Sequence, residues 1–286
     1  HPLLLQGDHR QELVTLRPEV CNEQPFVTAY LHKLQPSLDI DWRSDDQEHA
    51  AYLRRQRIFS DRLGPVHNTL KAHVRYHQLA LSQRQGKFEK AEFIDYLRLP
   101  RAVGYLSKEM RESNEAKTFA CNLGSNYEGA SLFPPIHTDE PLVRSYLSQF
   151  LLEAADTKEF EPFIQSDYLK NLFAEVKLVN GLGDNERFVS MLQPEQFKAL
   201  KDRVDLDFMP SNATVFEADA EVGLDVAIKN VQTLFIKIFE INTKSHYRIH
   251  LSEINTDITL DGLTPNIELS IAYEDDPLRR VVRHFN

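Results

Sequence analysis

The hydrophobic rhythm of the chain changes near residue 203. Before it, apolar residues recur every three to four positions, the period of an amphipathic helix; after it they recur every second position, the period of a strand. The first helical pattern runs from Glu23 to Leu34, with Phe26, Ala29 and Tyr30 on one side and Pro25 in the first turn. Ser44-Asp45-Asp46 offers a cap for a helix to Leu63, with Ala50, Leu53 and Ile58 in step. Gly64-Pro65 breaks it, and a second helix from Val66 to Arg84 stops at Gly86. The short connection predicts an antiparallel helix hairpin. Lys90 to Leu97 adds a third helix. After a polar stretch at 112–136, Thr138-Asp139 caps a helix from Glu140 to Ala155, and shorter helices are expected near 159–164, 166–178, 185–191 and 194–202.

Beyond Arg203, Val222, Leu224, Val226 and Ile228 alternate with Gly223, Asp225, Ala227 and Lys229, which suits a strand with one wet face. After Lys229-Asn230 the alternation resumes through Leu234, Ile236 and Ile238, and the two runs read as an antiparallel hairpin. Further strands are expected at Arg203–Phe208, Ser245–Leu251, Ile267–Ile271 and Arg280–Phe285, with Asp261-Gly262 as a tight turn. The expected fold class is α+β: an all-helical N-terminal two-thirds followed by an antiparallel β-sandwich. The expected divisions are a helical region at 1–111, a linker at 112–137, a second helical unit at 138–202 and the sandwich at 203–286. A weak internal echo links Glu23–Leu31 with Asp139–Leu147. It is open between chance similarity of amphipathic helices and a duplicated helical unit.

Composition narrows the function. Hydrophobic residues make up 42% and charged residues 27% of the 286, ordinary for a globular chain. No apolar run approaches the roughly 18 residues of a membrane span. A net charge of −10 argues against a general nucleic-acid binder, although Arg54, Arg55, Arg57 and Arg62 leave room for a local basic patch. The missing initiator Met suggests a processed chain or a piece of a longer one. Cys21 and Cys121 are too few for a zinc module or a disulfide scaffold, leaving one bridge or two buried thiols.

The candidate chemistry is sparse. His73-Val74-Arg75-Tyr76-His77 puts two imidazoles one helical turn apart, the spacing of a zinc pair, but Val74 stands where a zincin carries Glu. The competing reading is two solvent-facing histidines, with His67 slightly off their face. His246 and His250 would share one strand face, with Glu253 or Asp257 as a third metal ligand. Asn255–Gly262 superficially resembles a calcium loop, yet Asn266 occupies the position that needs a bidentate Glu. Gly181-Leu182-Gly183-Asp184 lacks the Lys of a phosphate loop, and no Gly-x-Ser-x-Gly elbow occurs. Trp42 is either a partner anchor or a half-buried helical residue. No catalytic residue and no cofactor are assigned.

Val222 to Thr243, with Asn255–Leu263, Arg279–Phe285 and the approach Leu200–Phe208, resembles the first macroglobulin-like β-sandwich domain of large bacterial α-2-macroglobulin-like proteins. The resemblance implies a sandwich that continues beyond Phe285, so the domain is expected to be incomplete. It also implies a periplasmic or extracellular setting. The superfamily's thioester motif is absent, since Cys21 is followed by Asn22-Glu23-Gln24 without the Gly. The expected role is a non-enzymatic structural or protein-interaction segment of a larger chain. The alternatives are a metal-dependent hydrolase built on a His/acid site and a helical adaptor. An unpaired sheet edge is expected to be covered by a partner, by Leu3–Leu5 or by further strands.

Overall fold

The computed structural model describes residues 18–213, 216, 219–252, 254 and 258–286. It is α+β, helices first and antiparallel sheets after. The helices are α1 (Gln24–Leu34), α2 (Asp46–Ser60), α3 (Asn68–Arg84), α4 (Lys90–Leu97), α5 (Lys108–Glu112), α6 (Asn114–Phe119), α7 (Glu128–Ser131), α8 (Glu140–Glu153), α9 (Ser166–Asn180), α10 (Asn185–Ser190) and α11 (Pro194–Asp202). Strands β1 (Asp205–Phe208), β2 (Leu224–Lys229) and β3 (Thr233–Ile238) follow, then α12 (Thr243–His250), β4 (Ile267–Ala272) and β5 (Arg280–Phe285).

Local chemistry sets the helix ends. The Asp45 carboxylate accepts from the backbone N–H of Gln47 and Glu48, satisfying two of the donors that α2 leaves free. Gly86 takes a positive φ of 68° just past α3, where a side chain would be strained. The interval at 159–164, expected as helix, is a series of turns ending in a bridge between Leu106 and Ile164. Pro162 removes a donor there.

α2 and α3 form the expected hairpin. One hydrophobic core then runs from Ala72 to Leu200. The polar stretch at 112–137 takes part in it: Cys121, Leu123 and Ile136 are buried there. α8 contributes Leu142, Val143, Tyr146, Leu147 and Leu151, and α9 packs against it with Leu169, Leu172 and Phe173. Burying each such side chain stabilises the fold by about 1.5–3 kcal/mol. The two echoed segments are α1 and α8. Both start with Pro in the first turn and bury matched positions, Phe26, Val27 and Leu31 against Leu142, Val143 and Leu147.

The β region departs from the expected hairpin. β2 lies between β1 and β5 in a three-stranded sheet, while β3 pairs with β4 in a separate ribbon. Both hydrogen-bonding edges of β2 are occupied, so β3 has none left to join. β2 also has no wet face over its last four residues, since Val226 to Lys229 are all buried. Asn230 sits at the crossing in the left-handed region, φ 55°. The Lys229 ammonium donates to the Arg203 carbonyl at 2.7 Å, and the Asn230 side chain donates to the carbonyls of Lys201 and Asp202. The pair thus satisfies carbonyls that the end of α11 leaves open, which ties the sheet to the helices.

Ser245–Leu251, expected as a strand, is almost wholly helix α12. Asn242 caps it through a bond from the Ser245 N–H, and Tyr247, Ile249 and Leu251 stay more than half exposed. Without a sheet neighbour, the alternation alone does not make a strand.

The Asn230 junction is testable. Asn230→Ala loses both carbonyl contacts and meets backbone strain, and should cost about 1–2 kcal/mol in denaturant unfolding. Asn230→Gly keeps the permitted backbone and should cost less. Equal, negligible effects of the two would show that the junction contributes nothing.

Candidate functional site

Two buried polar centres and one exposed face stand out. The first centre joins the loop after α4 to the start of α8. Arg101 is fully buried and lies 2.8 Å from the Asp139 carboxylate, itself 1% exposed. Tyr96 and Tyr105 each donate to the same carboxylate oxygen at 2.7 Å. Arg101 also donates to the carbonyls of Tyr96 and Leu99, and its guanidinium lies 4.3 Å from the Tyr96 ring centroid. Asp139 is the residue before α8, yet its side chain makes no capping bond. It turns inward because an unpaired buried guanidinium would cost far more than a lost cap. Burial pushes the Tyr96 and Tyr105 hydroxyls well above their ordinary range, so both remain donors. A cleft of about 520 Å³ at Ile40–Asp46 and one of about 480 Å³ beside this centre, lined by Tyr105, Asp139, Glu140 and Tyr168 among others, open to solvent.

The second centre holds α2, α3 and the 127–134 segment together. His73 Nε2 lies 2.8 Å from Ser131 Oγ, and His77 Nε2 lies 3.1 Å from the Pro134 carbonyl. Tyr52 and Gln56 donate to the Ser131 carbonyl. The Phe133 ring stacks between His77 and His49, and Trp42 meets His49, Tyr52 and Phe133 edge-on. His73 is buried and His77 half-buried, so the two are not a solvent-facing pair, and Trp42, 6% exposed, is an interior residue rather than an anchor. Burial, with help from His77, lowers the His73 pKa to about 3. Burial lowers His77 to about 4, against a counteracting bond to the Pro134 carbonyl, and burial together with Arg84 lowers His49 to about 4.

The remaining candidates are placed as follows. His73 and His77 meet, with ring centroids 4.7 Å apart, and so do His246 and His250, at 4.5 Å on α12 rather than on a strand. Among the described residues no group of three His, Cys, Asp or Glu side chains converges to hold a metal. Glu253, Asn255 and Asp257 lie outside the described residues, as do Leu3–Leu5. Cys21 and Cys121 are both free and buried; burial pushes the Cys121 thiol up to about 12. His67 is buried with its Nε2 unpartnered. Sequence reading passed over Arg101, Tyr96, Tyr105 and His49, since nothing in spacing distinguishes a buried Arg–Asp pair from surface charges.

The basic cluster divides by face. Arg57 is mostly buried and bound to Asp61, Glu92 and Asp95. Arg54, Arg55 and Arg62 are exposed. The β region is exposed as well: one face of the β3–β4 ribbon pairs Leu234 with Ile271, Ile236 with Leu269 and Ile238 with Ile267. Ile238, Leu269 and Ile267 on it are 45–50% exposed.

A rigid helical unit followed by antiparallel β-structure, with charged and apolar groups outward and its histidines walled in, defines a helical module joined to a β-sandwich module. Residues 8–204 match the family model of the actin-binding protein F N-terminal domain, and residues 234–286 match that of the first immunoglobulin-like domain of the same protein. The chain belongs to the actin-binding protein F N-terminal domain family. It is 28% identical over 267 residues to actin-binding protein F of Dictyostelium discoideum, across 92% of this chain and 11% of that relative. The chain thus spans about a tenth of the relative's length. No solved structure matches it.

These matches overturn the macroglobulin resemblance. Its supporting residues, Val222–Thr243, carry an alternation that any antiparallel sandwich shares, and they do not form the hairpin on which the likeness rested. The periplasmic or extracellular placement depends on that resemblance alone and falls with it. No helix among the described residues is long and apolar enough to cross a membrane.

Two measurements follow from the buried centres. Arg101→Met strands the Asp139 carboxylate and should cost about 3–5 kcal/mol in denaturant unfolding, a loss that a pairing already broken in the native state would not produce. The histidines give a pH dependence. Each is neutral when folded and has an ordinary pKa near 6.5 when unfolded. Their contribution is therefore full above about pH 6.5 and is lost as pH falls toward 4, where the unfolded chain takes up protons first. Thermal unfolding should shift downward between pH 7 and 5, and His77→Phe should flatten that slope; a slope unchanged by the substitution would remove His77 from the account.

Proposed function

We propose that this chain is the N-terminal part of a multidomain actin-binding protein, and that it acts by protein–protein contact with actin. The observation that carries the reading is the ordered match of both parts, helical domain then immunoglobulin-like domain, to one actin-binding protein. Similarity across 92% of the chain supports it. The helical unit has a continuous core, which suits a body that docks through its surface. The ends of the matched ranges, 204 and 234, support a division between the helical and β parts near residue 203. With actin as its partner, the protein would work at the cytoskeleton.

Co-sedimentation tests this. The chain should pellet saturably with filamentous actin and remain in the supernatant without it. A chain that stays soluble at tens of micromolar actin would refute an actin-binding role for this part of the protein.

A further inference from the structure

We propose that the outward face of α2 is the surface that docks onto actin, recognising an acidic patch on the filament. This inference rests on the actin-binding reading above.

α2 separates its faces sharply. His49, Tyr52, Leu53, Gln56 and Phe59 point into the protein. Arg54, Arg55 and Ile58 are exposed, the Arg55 guanidinium lying 5.7 Å from the Tyr52 ring centroid, and Arg62, also exposed, follows in the next turn. At 1.5 Å per residue the stretch from Arg54 to Arg62 is about 12 Å long, the scale of one helix-sized contact. Ile58 is 50% exposed in its middle.

Three features distinguish this face from an ordinary solvated helix surface. The first is charge. The chain carries −10 overall, yet among the described residues no carboxylate lies within ion-pair distance of Arg54, Arg55 or Arg62. Among the other described arginines, Arg57 and Arg75 share Asp61, Arg144 and Arg203 share Glu175, and Arg280 meets Asp207; Arg43, Arg111, Arg187, Arg248 and Arg279 also lack an ion pair but are scattered along the chain, whereas Arg54, Arg55 and Arg62 stand together. Unpaired arginines in an acidic protein form a local positive field that selects an acidic partner. The second is composition. Arginine around an exposed aliphatic side chain is the makeup of an interface centre, where guanidinium groups bond carboxylates in pairs and the apolar group excludes water. The third is rigidity. The inner face of α2 is clamped: Tyr30 stacks on Phe59 at 4.1 Å, and Tyr52 and Gln56 hold the Ser131 carbonyl. The arginine stems therefore spring from a fixed backbone, and less freedom is lost on binding.

The net negative charge disfavours the phosphate backbone of a nucleic acid as occupant. An anionic membrane is the other surface that could attract arginines, and the test separates it from actin.

The experiment is co-sedimentation of the whole chain with filamentous actin, using Arg54→Glu/Arg55→Glu/Arg62→Glu, the corresponding triple Lys variant and a control, Lys244→Glu/Arg248→Glu, on α12. Thermal unfolding checks that each is folded. The expected result is a rise of about fivefold or more in the apparent Kd for the Glu variant, a smaller rise for the Lys variant, which keeps the charge but not the paired bonds, near-native binding for the control, and weakening of the wild type by salt. If the wild type pellets and the folded Glu variant pellets equally, this surface is wrong and the actin-binding reading stands. If the wild type does not pellet, both fail. Vesicles of phosphatidylserine and phosphatidylcholine form the last arm: a loss confined to vesicle binding would assign the face to membranes and overturn the proposal.

Discussion

The helical unit depends on the ion pair between Arg101 and Asp139. The pair sits inside a core that runs from Ala72 to Leu200, where neither charge has water to fall back on. It holds together because every strong donor has an acceptor: two backbone carbonyls and a carboxylate for the guanidinium, and two tyrosine hydroxyls plus Arg101 for Asp139. The partners come from α4, the loop after it and the residue before α8. One buried charge pair therefore fixes the register of segments distant in sequence. Such a pair adds little net stability compared with an apolar core, but it is costly to break from one side. It favours one arrangement over its near alternatives.

Around this core the histidine centre and the α11 junction play similar roles at different places. His77 and His49 exchange their usual titration near neutral pH for packing against Phe133, and His73 does so beside His77 and Tyr127, closing the 127–134 segment over α2 and α3. Lys229 and Asn230 occupy the open carbonyls at the end of α11 and fix where the β region starts. His77, Lys229 and Asn230 each meet a backbone carbonyl that would otherwise lack a partner from the protein. The outer face of α2 is thus presented by a helix whose inner face is held on two sides.

The helical half was largely legible. Asp45 as a cap, Gly86 as a stop and Pro25 in a first turn are local signals, and local physics decides them. The failures share one cause, which is that sequence patterns do not specify partners. The alternation of 222–238 identified strands, but nothing in it revealed that both edges of β2 would be taken by β1 and β5. The same ambiguity produced the macroglobulin likeness. Tyr247, Ile249 and Leu251 alternate like a strand, but the first two lie on a capped helix and Leu251 ends it. Asp139 looked like a cap and became a buried counter-ion. The arginines of α2 were visible as a cluster; which of them are paired depends on Glu92 and Asp95, brought close only by the fold.

The proposed contact is between the outer face of α2 and actin. Hydrogen exchange of the chain, read by mass spectrometry with and without filamentous actin, tests it without altering a residue. Slower exchange is expected in peptides covering residues 46–67, with α12 and the β3–β4 ribbon unchanged. Protection confined to the β region, or no protection at saturating actin, would contradict it.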